Sequence, residues 1–133
     1  SLLKIANDIR LLGSGPRCGL GELLIPHDGL TSSIMPGKRN PTIAEVVAQA
    51  AFQVIGNHAT VTAAGASGNF ELNVAKPVLI YNVLQSIRVL ADSARVFAKR
   101  LVRDLDVDHE RLAANVANAL LLATALNPVL GYD

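Results

Sequence analysis

The chain has 133 residues, half of them hydrophobic and only 4% aromatic, with a formal net charge of +1. That length holds one domain with a real core and excludes two ordinary ones. The balanced charge, with no basic run longer than Lys99-Arg100, excludes the usual footprint of a nucleic-acid or acidic-membrane surface.

Leu2, Leu3, Ile5, Ala6 and Ile9 recur at helical spacing with Lys4, Asp8 and Arg10 between them, which reads as the end of an amphipathic helix stopped by Gly13-Ser14-Gly15-Pro16. Residues 13–40 hold six of the ten glycines and three of the six prolines. They keep no period, although Leu23-Leu24-Ile25 suits a short extended piece. A loop this long inside a compact protein is disordered or functional. Asn40 as cap and Pro41 as first residue then predict a helix over about 41–63, with Ile43, Val47, Ala50, Val54, His58 and Val61 along one stripe. Gly65-Ala66-Ser67-Gly68 ends it, and Asn69 is expected to cap a third helix running to about 103. Its stripe is Val74, Val78, Tyr81, Leu84, Ile87, Leu90, Ala94 and Phe97, with a kink or break at Pro77. Asp108 is the expected N-cap of a fourth helix, ended by Asn127-Pro128. The expectation is all-α: two long antiparallel helices with shorter helical pieces at each end. A mean hydropathy of +0.35 implies that some apolar surface is covered by further protein.

The strongest chemical signal is Thr31-Ser32-Ser33-Ile34-Met35-Pro36-Gly37-Lys38-Arg39-Asn40-Pro41. Two adjacent hydroxyls, a lysine and an amide precede a helix N-terminus, whose free N–H groups and partial positive charge favour an anion. Such a set suits a small molecule rich in carboxylates. The same residue types are ordinary in loops, and Asn-Pro is an ordinary helix start, so the residues alone also admit a plain loop-to-helix junction.

This stretch resembles the signature of the fumarase/aspartase superfamily, Gly-Ser-Ser-x-Met-Pro-x-Lys-x-Asn-Pro, with every fixed position but the first present. The resemblance covers nearly the whole chain. Leu12 to Glu22, Gly56-Asn57-His58, Gly68 to Val74 and Thr124 to Pro128 are similar to class II fumarase segments. Phe70-Glu71 and Lys76-Pro77 are fumarase-like, where aspartate ammonia-lyases typically carry Leu-Gln and a Glu before the Pro.

The resemblance implies a fold, an activity and roles. The fold is an all-α segment, the second half of the central helical domain over 1–104, with the signature loop at 31–41, and the start of the C-terminal region over 105–133. The full enzyme would be a homotetramer with a central helical bundle, drawing each active site from three subunits. It would hydrate fumarate reversibly to (S)-malate with no metal and no cofactor, bind neither nucleic acid nor membrane, and reside in the cytoplasm, or in mitochondria if eukaryotic. Ser32 aligns with the proposed general base, and Glu45 with the carboxylate that partners the catalytic histidine. Ser33, Lys38 and Asn40 align with substrate-binding residues, and Arg39 lies between the last two. The histidine belongs to a part of the family's chain upstream of Ser1. The chain opens inside a helix and stops just after an Asn-Pro turn, so a fragment is expected, inactive alone, and a targeting sequence could have been lost upstream. An aspartate ammonia-lyase, or a non-catalytic helical assembly piece, are the rival readings. Three positions depart from the family pattern: Thr31 replaces Gly, Arg39 stands where Val is common, and Ala75 replaces a frequent Phe.

Other residues read as structural. Cys18, the single cysteine, permits no internal disulfide, is compatible with a reducing compartment and lacks a nucleophile's setting. His27, His58 and His109 have no metal spacing; they read as a turn residue, a core histidine and a first-turn helix residue. Asn73 and Lys76 are weaker candidates for the neighbourhood of the site. Leu112 to Leu126, the longest apolar stretch, is interrupted by Asn115 and Asn118 and is too short for a bilayer.

Overall fold

The computed structural model describes residues 1–27 and 34–131, so Thr31, Ser32 and Ser33 of the signature lie outside the described residues. Helix α1 (Leu2–Leu12) buries Ala6 and Ile9 and stops at Gly13, whose N–H closes back on the Ile9 carbonyl at 2.9 Å. The long helices α2 (Thr42–Gly65) and α3 (Lys76–Arg100) form an antiparallel hairpin: Ala44 and Val47 pack near Phe97 and Leu101, whereas Asn57 meets Asn82, Gln85 and Ser86. A 3₁₀ turn (Val102–Asp104) follows α3, and strand β2 (Asp106–Val107) pairs antiparallel with β1 (Leu23–Leu24), Leu23 opposite Val107. Helix α4 (His109–Ala117), a 3₁₀ stretch (Leu120–Leu126) and α5 (Asn127–Leu130) complete the described chain.

The apolar core is at one end of the hairpin. Ala6 and Ile9 of α1, Ala44 and Val47 of α2, Phe97 of α3 and Leu101 make one cluster, with Leu23, Ile25, Ile43 and Leu105 packed against it. Leu101 and Val47 are 1% and 2% exposed, and burying side chains of this size contributes about 1.5–3 kcal/mol each. This core fixes α1 against the N-terminal end of α2, the end to which the signature loop leads.

Four local expectations need correction. Pro41 (φ −77, ψ 60) is the N-cap of α2 and Thr42 its first residue, so Asn40 lies one position outside the helix; Thr42 Oγ1 donates to the Asn40 carbonyl at 3.4 Å. Asn69 does not cap α3, because Phe70 takes φ 50, outside helical space, and Asn69 and Leu72 exchange backbone hydrogen bonds in a turn. The helix begins at Lys76, with Pro77 in the first turn where its missing N–H costs nothing. Asn127-Pro128 starts the short α5 for the same reason, directly after the 3₁₀ stretch, whereas α4 already ends at Ala117. His58 is exposed, and the neighbouring Asn57 is the buried residue, at 3%. Asp108 does cap α4, its carboxylate accepting from Arg111 N–H at 2.9 Å.

Candidate active site

The second half of the signature folds as a turn followed by a helix. Lys38 N–H donates to the Met35 carbonyl at 3.2 Å, closing a turn with Pro36 and Gly37 in the middle. Gly37 has φ +76, the value a type II turn needs at its third position, and Pro36 supplies the fixed negative φ of the second. Met-Pro-Gly-Lys is therefore a backbone device. It reverses the chain and presents Lys38, Arg39 and Asn40, all exposed, immediately before α2.

These three residues line a cavity of about 1080 Å³ together with Pro41, Arg10 of α1 and Arg111 of α4. His27 also lines it, as part of the segment leading from β1. Lys38, Arg39 and Arg111 are cationic, Arg10 is paired with Glu45, and among the described lining residues Asp108 is the acidic one. The Asp108 carboxylate is already engaged at the start of α4. The balance is positive, and with the α2 N-terminus alongside, the cavity suits a dianion.

Gly13, Ser14, Gly15, Pro16 and Gly21 of the glycine-rich segment 13–22 also line the cavity, and the segment's shape is fixed by hydrogen bonds. Glu22 N–H donates to the Leu12 carbonyl at 2.8 Å, and Ser14 Oγ accepts from Leu20 N–H at 3.2 Å while donating to the Leu11 carbonyl. Gly19 has φ +95, and a Cβ there would meet Ser14 Oγ and O at 2.5–2.6 Å, so only glycine fits. Helix α4 clamps the segment. Arg111 donates from Nε to the Leu20 carbonyl at 3.1 Å and from Nη2 to the Gly19 carbonyl at 3.0 Å. Asn115 donates to the Glu22 carboxylate at 2.9 Å, and Asp108 N–H to the Glu22 carbonyl at 2.9 Å.

Glu45 lies in the first turn of α2, its N–H bonded to the Pro41 carbonyl at 3.0 Å. Its carboxylate faces a second cavity of about 330 Å³, also lined by Asn7, Arg10, Leu11, Ser14 and Pro41. Arg10, Ser14 and Pro41 line both cavities, so the two share a wall. Arg10 Nη2 reaches Glu45 Oε1 at 3.5 Å.

Of the residues singled out by sequence, Lys38, Arg39, Asn40 and Glu45 converge on this pair of cavities, and Ser32 and Ser33 lie outside the described residues. Asn73 does not converge: it bonds the Ala64 carbonyl at 2.9 Å and accepts from Ala75 N–H at 2.8 Å, joining the end of α2 to the start of α3. The 24 residues of α2 put that junction about 36 Å from Asn40 at ~1.5 Å per residue. Arg10, Arg111 and Ser14 had no sequence signal; each reads as an ordinary polar residue of a helix face or turn. Asp104 is held below the ordinary carboxylate range by the hydrogen bonds from Arg103, whose own pKa is raised in turn, and neither residue lines these cavities. Among the described residues no group of three or more His, Cys, Asp and Glu could hold a metal, and no helix is long and apolar enough to cross a membrane.

A lyase family model matches residues 1–56. Along all 133 residues the chain is 57% identical to the class II fumarate hydratase of Rickettsia felis and 56% identical to the mitochondrial fumarate hydratase of Schizosaccharomyces pombe. A class II fumarase structure from Schistosoma mansoni superposes on 99% of the chain with a TM-score of 0.96 at 45% identity. Over its whole length the chain is therefore similar to class II fumarases. It spans 29% of the Rickettsia protein, 26% of the yeast protein and 28% of the Schistosoma chain. A Brucella melitensis structure described as fumarate lyase:delta crystallin also superposes, with a TM-score of 0.88 at 50% identity over 98% of this chain and 28% of its own. The all-α fold expected from sequence is the fold of these relatives.

Proposed function

We propose that the full-length protein is a fumarate hydratase, adding water reversibly to fumarate to give (S)-malate, and that this segment supplies its carboxylate-recognition wall. The carrying observation is the convergence of Lys38, Arg39 and Asn40 on a net positive cavity beside the α2 N-terminus, with Glu45 one turn into the helix. In the dehydration direction a base takes the proton from the carbon beside a carboxylate. The C–H electron pair moves into that carboxylate as an aci-carboxylate, then returns to form the double bond as the C–O bond breaks and the leaving hydroxyl, taking a proton from a general acid, departs as water. Charge therefore gathers on a carboxylate, where donors and cations that are already in place stabilise it best. Lys38 and Asn40 are the proposed donors, with Ser33 beside them and Arg39 adding charge. Ser32 is the proposed base, and Glu45 supports a histidine supplied from elsewhere in the protein.

The homotetramer, the division into 1–104 and 105–133, and a cytoplasmic or mitochondrial location belong to the same proposal. The names of the yeast and Dictyostelium relatives, both mitochondrial, support the last. The 3₁₀ turn ending at Asp104 supports the boundary.

The test is a non-reactive dicarboxylate titrated against the full-length protein and its Lys38→Ala variant. Binding should weaken by roughly 2–5 kcal/mol if the pair is desolvated, with kcat/KM falling at least as far. Unchanged affinity defeats the anion-site argument. Ultraviolet absorbance of fumarate formed from malate and from aspartate separates the hydratase from an ammonia-lyase.

A further inference from the structure

We propose that Arg10, in the last turn of α1, is a positioning residue that aims the Glu45 carboxylate at the group it serves. The inference rests on the reading of Glu45 as a partner of the catalytic histidine. Arg10 Nη2 reaches Glu45 Oε1 at 3.5 Å, and Nη1 donates to Asn7 Oδ1 at 3.4 Å on its own helix. The guanidinium is thus steadied from one side and holds the carboxylate from the other. Among the described residues no other side chain bonds Glu45, so Oε2 is left to accept an imidazole N–H.

The geometry is rigid where it matters. Arg10 and Glu45 lie on helices whose adjoining residues, Ile9 and Ala44, are buried in one core cluster. The two charged groups are carried by packed backbone, whereas the loop bearing Lys38 is exposed. Arg10 also lines both cavities, so a single side chain touches the carboxylate and the wall of the anion cavity. The two side chains are 42% and 33% exposed, and an ion pair so wet adds little to folding stability. Its effect belongs to the orientation of the carboxylate, and misplacing a catalytic group by ~1 Å can cost about 10²-fold in rate.

The experiment is a double-mutant cycle in the full-length protein with Arg10→Met, Arg10→Lys, Glu45→Gln and Arg10→Met/Glu45→Gln. Thermal midpoint and oligomeric state are measured alongside kcat and KM. Arg10→Met should lower kcat on the order of 10–10² fold, with KM and midpoint near wild type. Arg10→Lys should recover part of the loss. In the Glu45→Gln background, Arg10→Met should have no further effect, a non-additivity that a merely structural arginine would not show. If Arg10→Met does not assemble, Arg10→Lys carries the comparison: it should lower kcat alone and change nothing beside Glu45→Gln. Equal losses in both backgrounds, or an undiminished kcat for the assembled Arg10 variant, overturn the role of Arg10 while leaving Glu45 in place. Wild-type kcat in Glu45→Gln overturns the reading of Glu45, and the role of Arg10 with it.

Discussion

Ser32 and Lys38 are six positions apart, and the chemistry asks different things of them. A serine hydroxyl is too weak an acid to serve as a base unless its alkoxide is stabilised, and Lys38 and nearby N–H groups are the groups proposed to do it. A lysine facing a substrate carboxylate acts on ground state and transition state alike. Ser32→Ala in the full-length protein should therefore reduce kcat on the order of 10²–10⁴ fold, the usual scale for one acid–base group, while a non-reactive dicarboxylate binds as before. Lost inhibitor binding with turnover kept at saturation would make Ser32 a binder and send the search for the base elsewhere. The neighbouring Met35-Pro36-Gly37-Lys38 was legible as a motif before its mechanical reason was. Only the +76° φ of Gly37 shows that the motif is a turn aiming Lys38.

Away from the apolar core, the contact between α2 and α3 includes a polar network around Asn57. Asn57, 3% exposed, donates to Gln85 Oε1 at 2.9 Å, to Ser86 Oγ at 3.0 Å and to the Asn82 carbonyl at 3.4 Å, and accepts from Gln53 at 2.8 Å. Among the described residues Asn82 and Ser93 are also buried and polar. Among described residues no buried side-chain nitrogen or oxygen lacks a partner, so the seam is fully satisfied. Asn57→Ala should strand several of these groups and lower the stability of the full-length protein by about 1–3 kcal/mol, measured by denaturant titration. A change below about 0.5 kcal/mol, the level of an ordinary surface substitution, would show that the network contributes nothing the helices lack. Sequence periodicity picked a different face of α3. Of the expected stripe, Tyr81 and Ile87 are 63% and 58% exposed and Phe97 is buried. Periodicity says that a face will be covered, and not by what.

At the scale of the molecule, α2 exposes Phe52 and Ile55, and α3 exposes Ile80, Leu84 and Ile87 at helical spacing. Residues this apolar are seldom left to water in a contiguous patch. Further copies of the chain packing on these helices is the proposed reason. Ile55→Glu with Ile87→Glu should convert the full-length assembly to smaller species in sedimentation velocity, with activity falling in step if sites are shared between subunits. An unchanged assembly would show that these faces are covered within one full-length chain or not at all.

Sequence by itself determined what depends on near neighbours along the chain. It gave the all-α class, the stop of α1 at Gly13, the Asp108 cap, the approximate extent of α2 and the Ser-Ser-x-Met-Pro-x-Lys-x-Asn-Pro motif with the family it points to. These rest on helical spacing, capping chemistry and turn residues, all set within a few positions. The tertiary structure decided what depends on residues far apart in the chain. Arg10 reaches Glu45 across 35 positions, and Arg111 clamps Gly19 and Leu20 across more than ninety. The third helix starts at Lys76 and not at Asn69, because the turn through Phe70 and the Asn73 bonds to the end of α2 hold the chain out of helix. A side chain's role as clamp, cap or wall is fixed by what packing brings within about 3 Å of it, and spacing along a single chain does not encode that neighbour.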